Sequence, residues 1–274
     1  MNTFVKKFEK IGARAKFAAI TASTRNRFSV RLDIQRDKKG TFFNIEAVSA
    51  TEIVVLDVQP KDRHLLIMAK ITDEETKEID KEKFLCGHDE RDWFIARIPK
   101  DRSVSSVLTA KEALKPNIVI AAQELKGVKN KKKNRHCNEA FIRQGEWFFV
   151  PAPEIEPPKW LIIRDEPMVR TRGGKPHTAE YLYRTGGMSV YINQKNQKYP
   201  NGLSEKSYRR LLLNKEISAS SFQVRRLNME VYVKGRITHA DHKTVLLNSW
   251  HRVVPNTEPS VSANGRLITM GFID

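Results

Sequence analysis

The sequence predicts an α+β fold, β-rich with mostly antiparallel sheets and a few short helices. Three observations predict it. Short runs of branched and aromatic residues recur along the 274 residues, separated by polar or proline- and glycine-containing breaks, as in strands joined by short turns. Only a few stretches place apolar residues at helical spacing between sensible ends. No apolar run reaches the roughly 18 residues of a membrane-crossing helix.

In chain order, Phe4, Phe8, Ile11, Ala15 and Ala18 recur at helical spacing, with Lys6, Lys7, Lys10 and Arg14 between them. The spacing predicts a basic amphipathic helix over 4–19. It reads as a nucleic-acid arm, a membrane-surface helix or a transit peptide, or as a core helix with a solvated basic face. TFFNIEAV, TEIVVLDVQ and RHLLIMAKI then read as successive antiparallel strands. The acidic block TDEETKEIDKEK reads as a solvated loop or short helix, and DWFIARIP as a strand closed by Pro99. SVSSVLTAKEALKP offers Ser103 or Ser105 as an N-cap and Pro116 as a stop, which makes a short helix. NIVIAAQEL is too short an apolar run for periodicity to choose between strand and helix.

Lys126, Lys129, Lys131, Lys132, Lys133 and Arg135 follow in a run without an acid. Mutual repulsion is expected to hold this run extended and mobile. QGEWFFV is a strand, and Pro151, Pro153, Pro157 and Pro158 make a stiff connector. The connector suggests a boundary near residue 155, between an N-terminal β-rich subdomain (1–155) and a C-terminal one (156–274). Beyond it, WLIIRDEPMVRTRGG is strand-like and ends in Gly173-Gly174. Gly186-Gly187 is expected to turn the chain from TAEYLYR into MSVYI. LSEKSYRRLLLNK is a helix of about three turns. FQVRRLNMEVYVKGRI and KTVLLNSWHRVV are strands, and Asn264-Gly265 marks a terminal hairpin.

Charge bounds the partner class. Against 32 acidic residues stand 49 Lys and Arg, a formal charge of +17. Such an excess attracts polyanions, of which nucleic acid is the commonest. Cys86 and Cys137 lie far apart with no CxxC pair, which argues against a disulfide framework or a cysteine zinc site and fits a cytoplasmic setting. Helix-turn-helix, zinc-finger and basic-zipper patterns are absent. RNA or single-stranded nucleic acid is therefore the favoured partner, for the chain alone or as a subunit of a ribonucleoprotein or mobile-element complex.

Four constellations carry candidate chemistry. The Lys-rich run supplies sequence-independent phosphate attraction. RTRGGKPH brings Arg170, Arg172, Lys175 and His177 around a glycine pair, where backbone and guanidinium groups suit a phosphate. It lacks both GxxxxGK[ST] and GxGxxG, so no nucleotide fingerprint is present. Met229–Val254 reads as a hairpin with His239, Asp241 and His242 at its turn and Lys234, Arg236, Lys243 and Arg252 along its arms. No cofactor is expected under the binding reading. An alternative is a metal-dependent nuclease or other phosphoester hydrolase, in which His239, Asp241, His242 and His177 hold a divalent metal whose bound water attacks phosphorus. A third reading is an assembly protein whose basic face docks on an acidic partner. Finally, Cys86 and His88 share a strand face, the geometry a Cys–His nucleophile requires.

Overall fold

A computed structural model gives the fold for residues 2–20, 30–48, 51–72, 76–170, 175–193, 198–199, 202–261 and 267–268. The architecture is β-rich α+β with mainly antiparallel sheets. The chain divides into two compact units. The first holds residues up to Val150 together with Thr238–Val245 and Val254–Ile268; the second holds Pro151–Ile237 and Leu246–Val253.

The first unit opens with α1 (Asn2–Glu9), shorter than the helical spacing suggested. Gly12, at φ 76°, turns the chain, and Ala15–Ile20 becomes strand β1 instead of a third helical turn. Its alternating AKFAAI pairs in parallel with β3 (Gly40–Val48), which also pairs antiparallel with β2 (Val30–Asp37). A second sheet follows in the order β4 (Thr51–Gln59), β5 (His64–Thr72), β6 (Ile79–Asp89) and β7 (Asp92–Arg97), antiparallel throughout. The block read as an acidic loop or helix thus contributes, from Ile79, the start of β6.

Both sheets of this unit feed one core. Phe8 and Ile11 pack with Phe43 and Ile45 of β3, Leu65 and Ile67 of β5, and Cys86 of β6. The opposite face of the second sheet, through Leu66, Leu85 and Ala96, is covered by Val107, Ala110 and Ala113 of α2 (Val107–Ala113). Burial on both faces explains why β5 reads as the unbroken apolar run HLLIMA instead of alternating. Each such Leu or Ile contributes about 1.5–3 kcal/mol by leaving water.

Helix α2 is capped by Ser106, one or three residues after the serines the sequence suggested. Its hydroxyl accepts from the Thr109 amide at 3.2 Å, and Asp57 accepts the Val107 amide at 2.8 Å. The ambiguous NIVIAAQEL is helix α3 (Asn117–Leu125), with Val119 packing on Phe141 and Phe148. Beside it lies the hairpin β8 (Ile142–Gln144) and β9 (Trp147–Pro151), whose Trp147, Phe148 and Phe149 are buried.

The second unit is built on β10 (Ile163–Met168) and β11 (His177–Ile192). The short β12 (Leu203–Ser204) pairs with the end of β11. Gly186 and Gly187 do not make a turn. Both hold positive φ inside one 16-residue strand, where the absent side chain at Gly187 admits Leu227 and Met229. Helix α4 (Glu205–Leu213) starts from a Ser204 cap and buries Leu211. Next to β11 in the sheet runs β13 (Gln223–Thr238), followed by β14 (Val245–Pro255). The tip of the β13–β14 hairpin, 238–245, belongs to the first unit. The terminal pair β15 (Ser260–Val261) and β16 (Leu267–Ile268) forms, while its Asn264-Gly265 turn lies outside the described residues.

Candidate functional site

The Lys-rich run is neither extended nor loose. It leaves α3 through Gly127 (φ 60°) and folds a 3-10 turn over Asn130–Lys132. Its backbone is held at several points. The buried Gln123 amide donates to the Lys133 carbonyl at 2.7 Å, the Asn138 amide side chain donates to the Lys132 carbonyl at 3.3 Å, and the Arg143 amide donates to the His136 carbonyl at 2.6 Å. Repulsion among the lysines is outweighed by donors fixed in the fold, since satisfying the run's carbonyls counts for more than exposed like-charge terms screened by water. Lys126, Lys129, Lys131 and Arg135 remain exposed, while Lys132 pairs with Glu139 and Lys133 is half-buried.

The run ends in a charged centre that sequence reasoning missed. Strand β6 delivers Asp89, and the two-residue loop to β7 places Glu90 in the left-handed region at φ 48°. Non-glycine residues hold such conformations at a cost that their surroundings must offset. His136 Nε2 lies 2.7 Å from Asp89 Oδ1, and His136 Nδ1 lies 3.3 Å from Glu90 Oε1. Arg143 donates to Asp89 Oδ2 at 2.8 Å. Burial alone would raise the Asp89 carboxyl. The His136 hydrogen bond and the Arg143 charge outweigh that effect and hold it at about 2. Asp89, three residues after Cys86 on β6, faces the opposite side of the strand. Cys86 is fully buried in the core, and burial pushes its thiol up, so it is no nucleophile. His88 instead stands edge-on to Trp93.

The hairpin tip docks onto this centre. The Lys243 amide donates to Glu90 Oε2 at 2.7 Å, and its carbonyl accepts from Gln144 at 2.6 Å. His242 Nδ1 lies 3.8 Å from Glu90 Oε2, and the ring covers Gly145, where a Cβ would come within 2.6 Å of Nε2. His242 is shifted down, first by burial and second by the neighbouring His239 charge. The two rings stack with centroids 4.6 Å apart, and His239 Nδ1 accepts the Asp241 amide at 3.1 Å. The tip thus brings together His239, Asp241, His242 and Lys243. His177 belongs to the second unit, as the first residue of β11, and is buried.

The remaining basic candidates also lie in the second unit. Arg170 is half-buried beyond β10 and Lys175 is exposed, while Arg172 falls outside the described residues. Lys234 is exposed on β13. Arg236 is exposed but binds Glu180, through its amide at 2.9 Å and its Nε at 3.4 Å. Arg252 is half-buried against Glu230 at 2.7 Å, and Glu230 also accepts the Tyr232 hydroxyl. The charges of Arg236 and Arg252 are therefore already met within the fold. His251 is buried, with Nδ1 2.8 Å from the Ser249 carbonyl.

Comparison with protein-family models, with curated proteins and with solved structures gave no match.

Proposed function

We propose that the protein binds nucleic acid, with RNA or another single strand as its partner, through the Lys126–Arg135 segment. One observation carries the reading: Lys126, Lys129, Lys131 and Arg135 stand exposed on a backbone that Gln123, Asn138 and Arg143 hold in place. A fixed row of cations loses less entropy on meeting a phosphate chain than a loose tail does. The Asp89–His136–Arg143 centre anchors the end of that row, and no helix among the described residues is long and apolar enough to cross a membrane. Two unpaired cysteines, Cys86 buried and Cys137 exposed, support a reducing cytoplasmic setting.

The test is binding of a fluorescent single-stranded oligonucleotide between about 50 and 200 mM salt. Replacing Lys126, Lys129, Lys131 and Arg135 together by alanine should lower the slope of log affinity against log salt by about 3, at about 0.7 per single-strand phosphate contact. Absence of binding at the lowest salt, or a slope unchanged in that variant, removes the proposal.

A second reading, metal-dependent phosphoester hydrolysis at the hairpin tip, is favoured by the stacked His239 and His242 beside Glu90. It expects zinc or manganese in the purified protein, lost in His242→Ala. A metal-free preparation that stays inert across divalent ions removes it.

A further inference from the structure

We infer that Trp160 is a stacking subsite for an unpaired base, an assignment that rests on the nucleic-acid reading above. Trp160 is 84% exposed, whereas Trp147 is fully buried and Trp93 and Trp250 are half-buried. Indole is the largest largely apolar side chain, so a partner that covers it gains the most by removing it from water. The backbone beneath it is braced. Pro157 and Pro158 fix the approaching backbone, and a 3-10 turn over Lys159–Leu161 follows. The Leu161 amide donates to the Pro158 carbonyl at 2.9 Å, and the Ile162 amide to the Lys159 carbonyl at 3.3 Å. A ring on so short and braced a turn loses little freedom on binding.

The surroundings select the occupant. Lys159 precedes the ring, and Arg164, exposed on β10, lies with its guanidinium 5.4 Å from the centre of the Tyr181 ring. Arg164 and Tyr181 face each other in the β10–β11 register, so a cation-covered second ring stands on the strand pair that follows the turn. Aromatic rings bordered by cations match the two parts of a single strand, base faces and phosphates. The core of a protein-docking patch is instead depleted in charge. Leu161 and Ile163, 47% and 39% exposed, follow Trp160 in the chain and add exposed apolar surface that suits a sugar. Duplex nucleic acid keeps its base faces stacked inside the helix and offers this ring nothing equivalent.

The experiment uses the full chain and a 12-residue oligoadenylate, with a blunt duplex and phosphatidylserine vesicles as separate arms. Oligoadenylate should quench tryptophan emission, and Trp160→Ala should abolish the quench and weaken binding about ten-fold. Trp160→Phe should retain most of the affinity. The salt slope should be unchanged in Trp160→Ala, because stacking releases no counterions. So exposed a side chain can be truncated without touching the core, and equal melting temperatures for the two proteins would verify this. Wild-type binding that Trp160→Ala leaves unaltered overturns this inference while the nucleic-acid reading stands. An emission change with vesicles and none with oligoadenylate also overturns it, making the ring a membrane contact. Failure of the wild type to bind any oligonucleotide overturns both.

Discussion

Replacing Asp89 by asparagine tests whether the centre at the end of the Lys-rich segment is an ion-paired anchor. The substitution keeps shape and volume, removes the charge, and turns one of the two accepting oxygens that face His136 and Arg143 into a donor. In the fold, burial acts to raise the Asp89 carboxyl, and the His136 hydrogen bond and Arg143 charge bring it instead to about 2, from an ordinary value of 3.8. At about 1.4 kcal/mol for each tenfold change in proton affinity, this corresponds to about 2–3 kcal/mol of stability. The folded value lies below the unfolded one, so the contribution is complete above the unfolded value and is lost as pH falls through the folded one. The wild type should lose about that much on acidification from about pH 5 to about pH 2. Asp89→Asn should flatten this limb and lower stability at pH 7 by at least the same amount, approaching the 3–5 kcal/mol typical of a half-broken buried pair. Urea unfolding followed by fluorescence at several pH values reads both effects. Glu139→Gln, at the exposed pair with Lys132, serves as a control expected to leave stability nearly unchanged. A neutral-pH midpoint equal to wild type, or an unchanged acid limb, would refute the reasoning.

Three further outcomes are expected. His64 is held at about 4 against an ordinary 6.5, first by burial and then by the Lys111 charge, so its neutral ring is favoured in the fold. Stability should be complete above pH 6.5 and decline toward pH 4; a melting temperature flat across that window, or an equal decline in His64→Gln, would contradict this. Gly145→Ala places a Cβ 2.6 Å from His242 Nε2 on a backbone at φ 57°, and should cost about 1–3 kcal/mol and speed hydrogen exchange at the Lys243 amide. An unchanged exchange rate would mean that the hairpin tip is not seated there. A maleimide should label native protein once, at exposed Cys137, and unfolded protein twice, since Cys86 is fully buried. Two labels on the native chain, counted by mass spectrometry, would show that the core opens.

The strands were legible because their signal is local. TFFNIEAV, TEIVVLDVQ and RHLLIMAKI needed only branching, aromatic content and flanking turns, and all three form strands, the last shifted by one residue to His64–Thr72. The failures have common physical causes. Helical spacing over 4–19 overshot because Ala15, Phe17 and Ala19 also fit a strand, and pairing with β3 decided between the two periods. Gly186-Gly187 looked like punctuation, but it marks close approach of a neighbouring backbone, which only the three-dimensional arrangement supplies. The Lys-rich run was misjudged for a related reason. Its like charges were visible, but the Gln123 and Asn138 side chains that hold its backbone are ordinary polar residues to either side of it.

The charged centre shows the same limit more sharply. Its members come from β6, from the loop before β8, from β8 itself and from the hairpin tip, so spacing in the chain could not join Asp89 to His136, Arg143 or His242. What the sequence did hold was asymmetry. His136 ends a run of cations and is followed within ten residues by Arg143, while the nearest earlier pair of adjacent acids in a tight turn is Asp89-Glu90. Two carboxylates leaving water together, each 12% exposed or less at the side chain, require partners to meet them, and in this unit the Arg143 guanidinium and the His136 ring take that place. The consequence bears on function. Asp89 and Glu90 pair with His136, the residue after the basic segment, and Asp89 also with Arg143, while Lys126, Lys129, Lys131 and Arg135 face solvent. A chain of this net charge would place its cations outward in any case; the pairing of His136 with Asp89 fixes the residue at which that row ends.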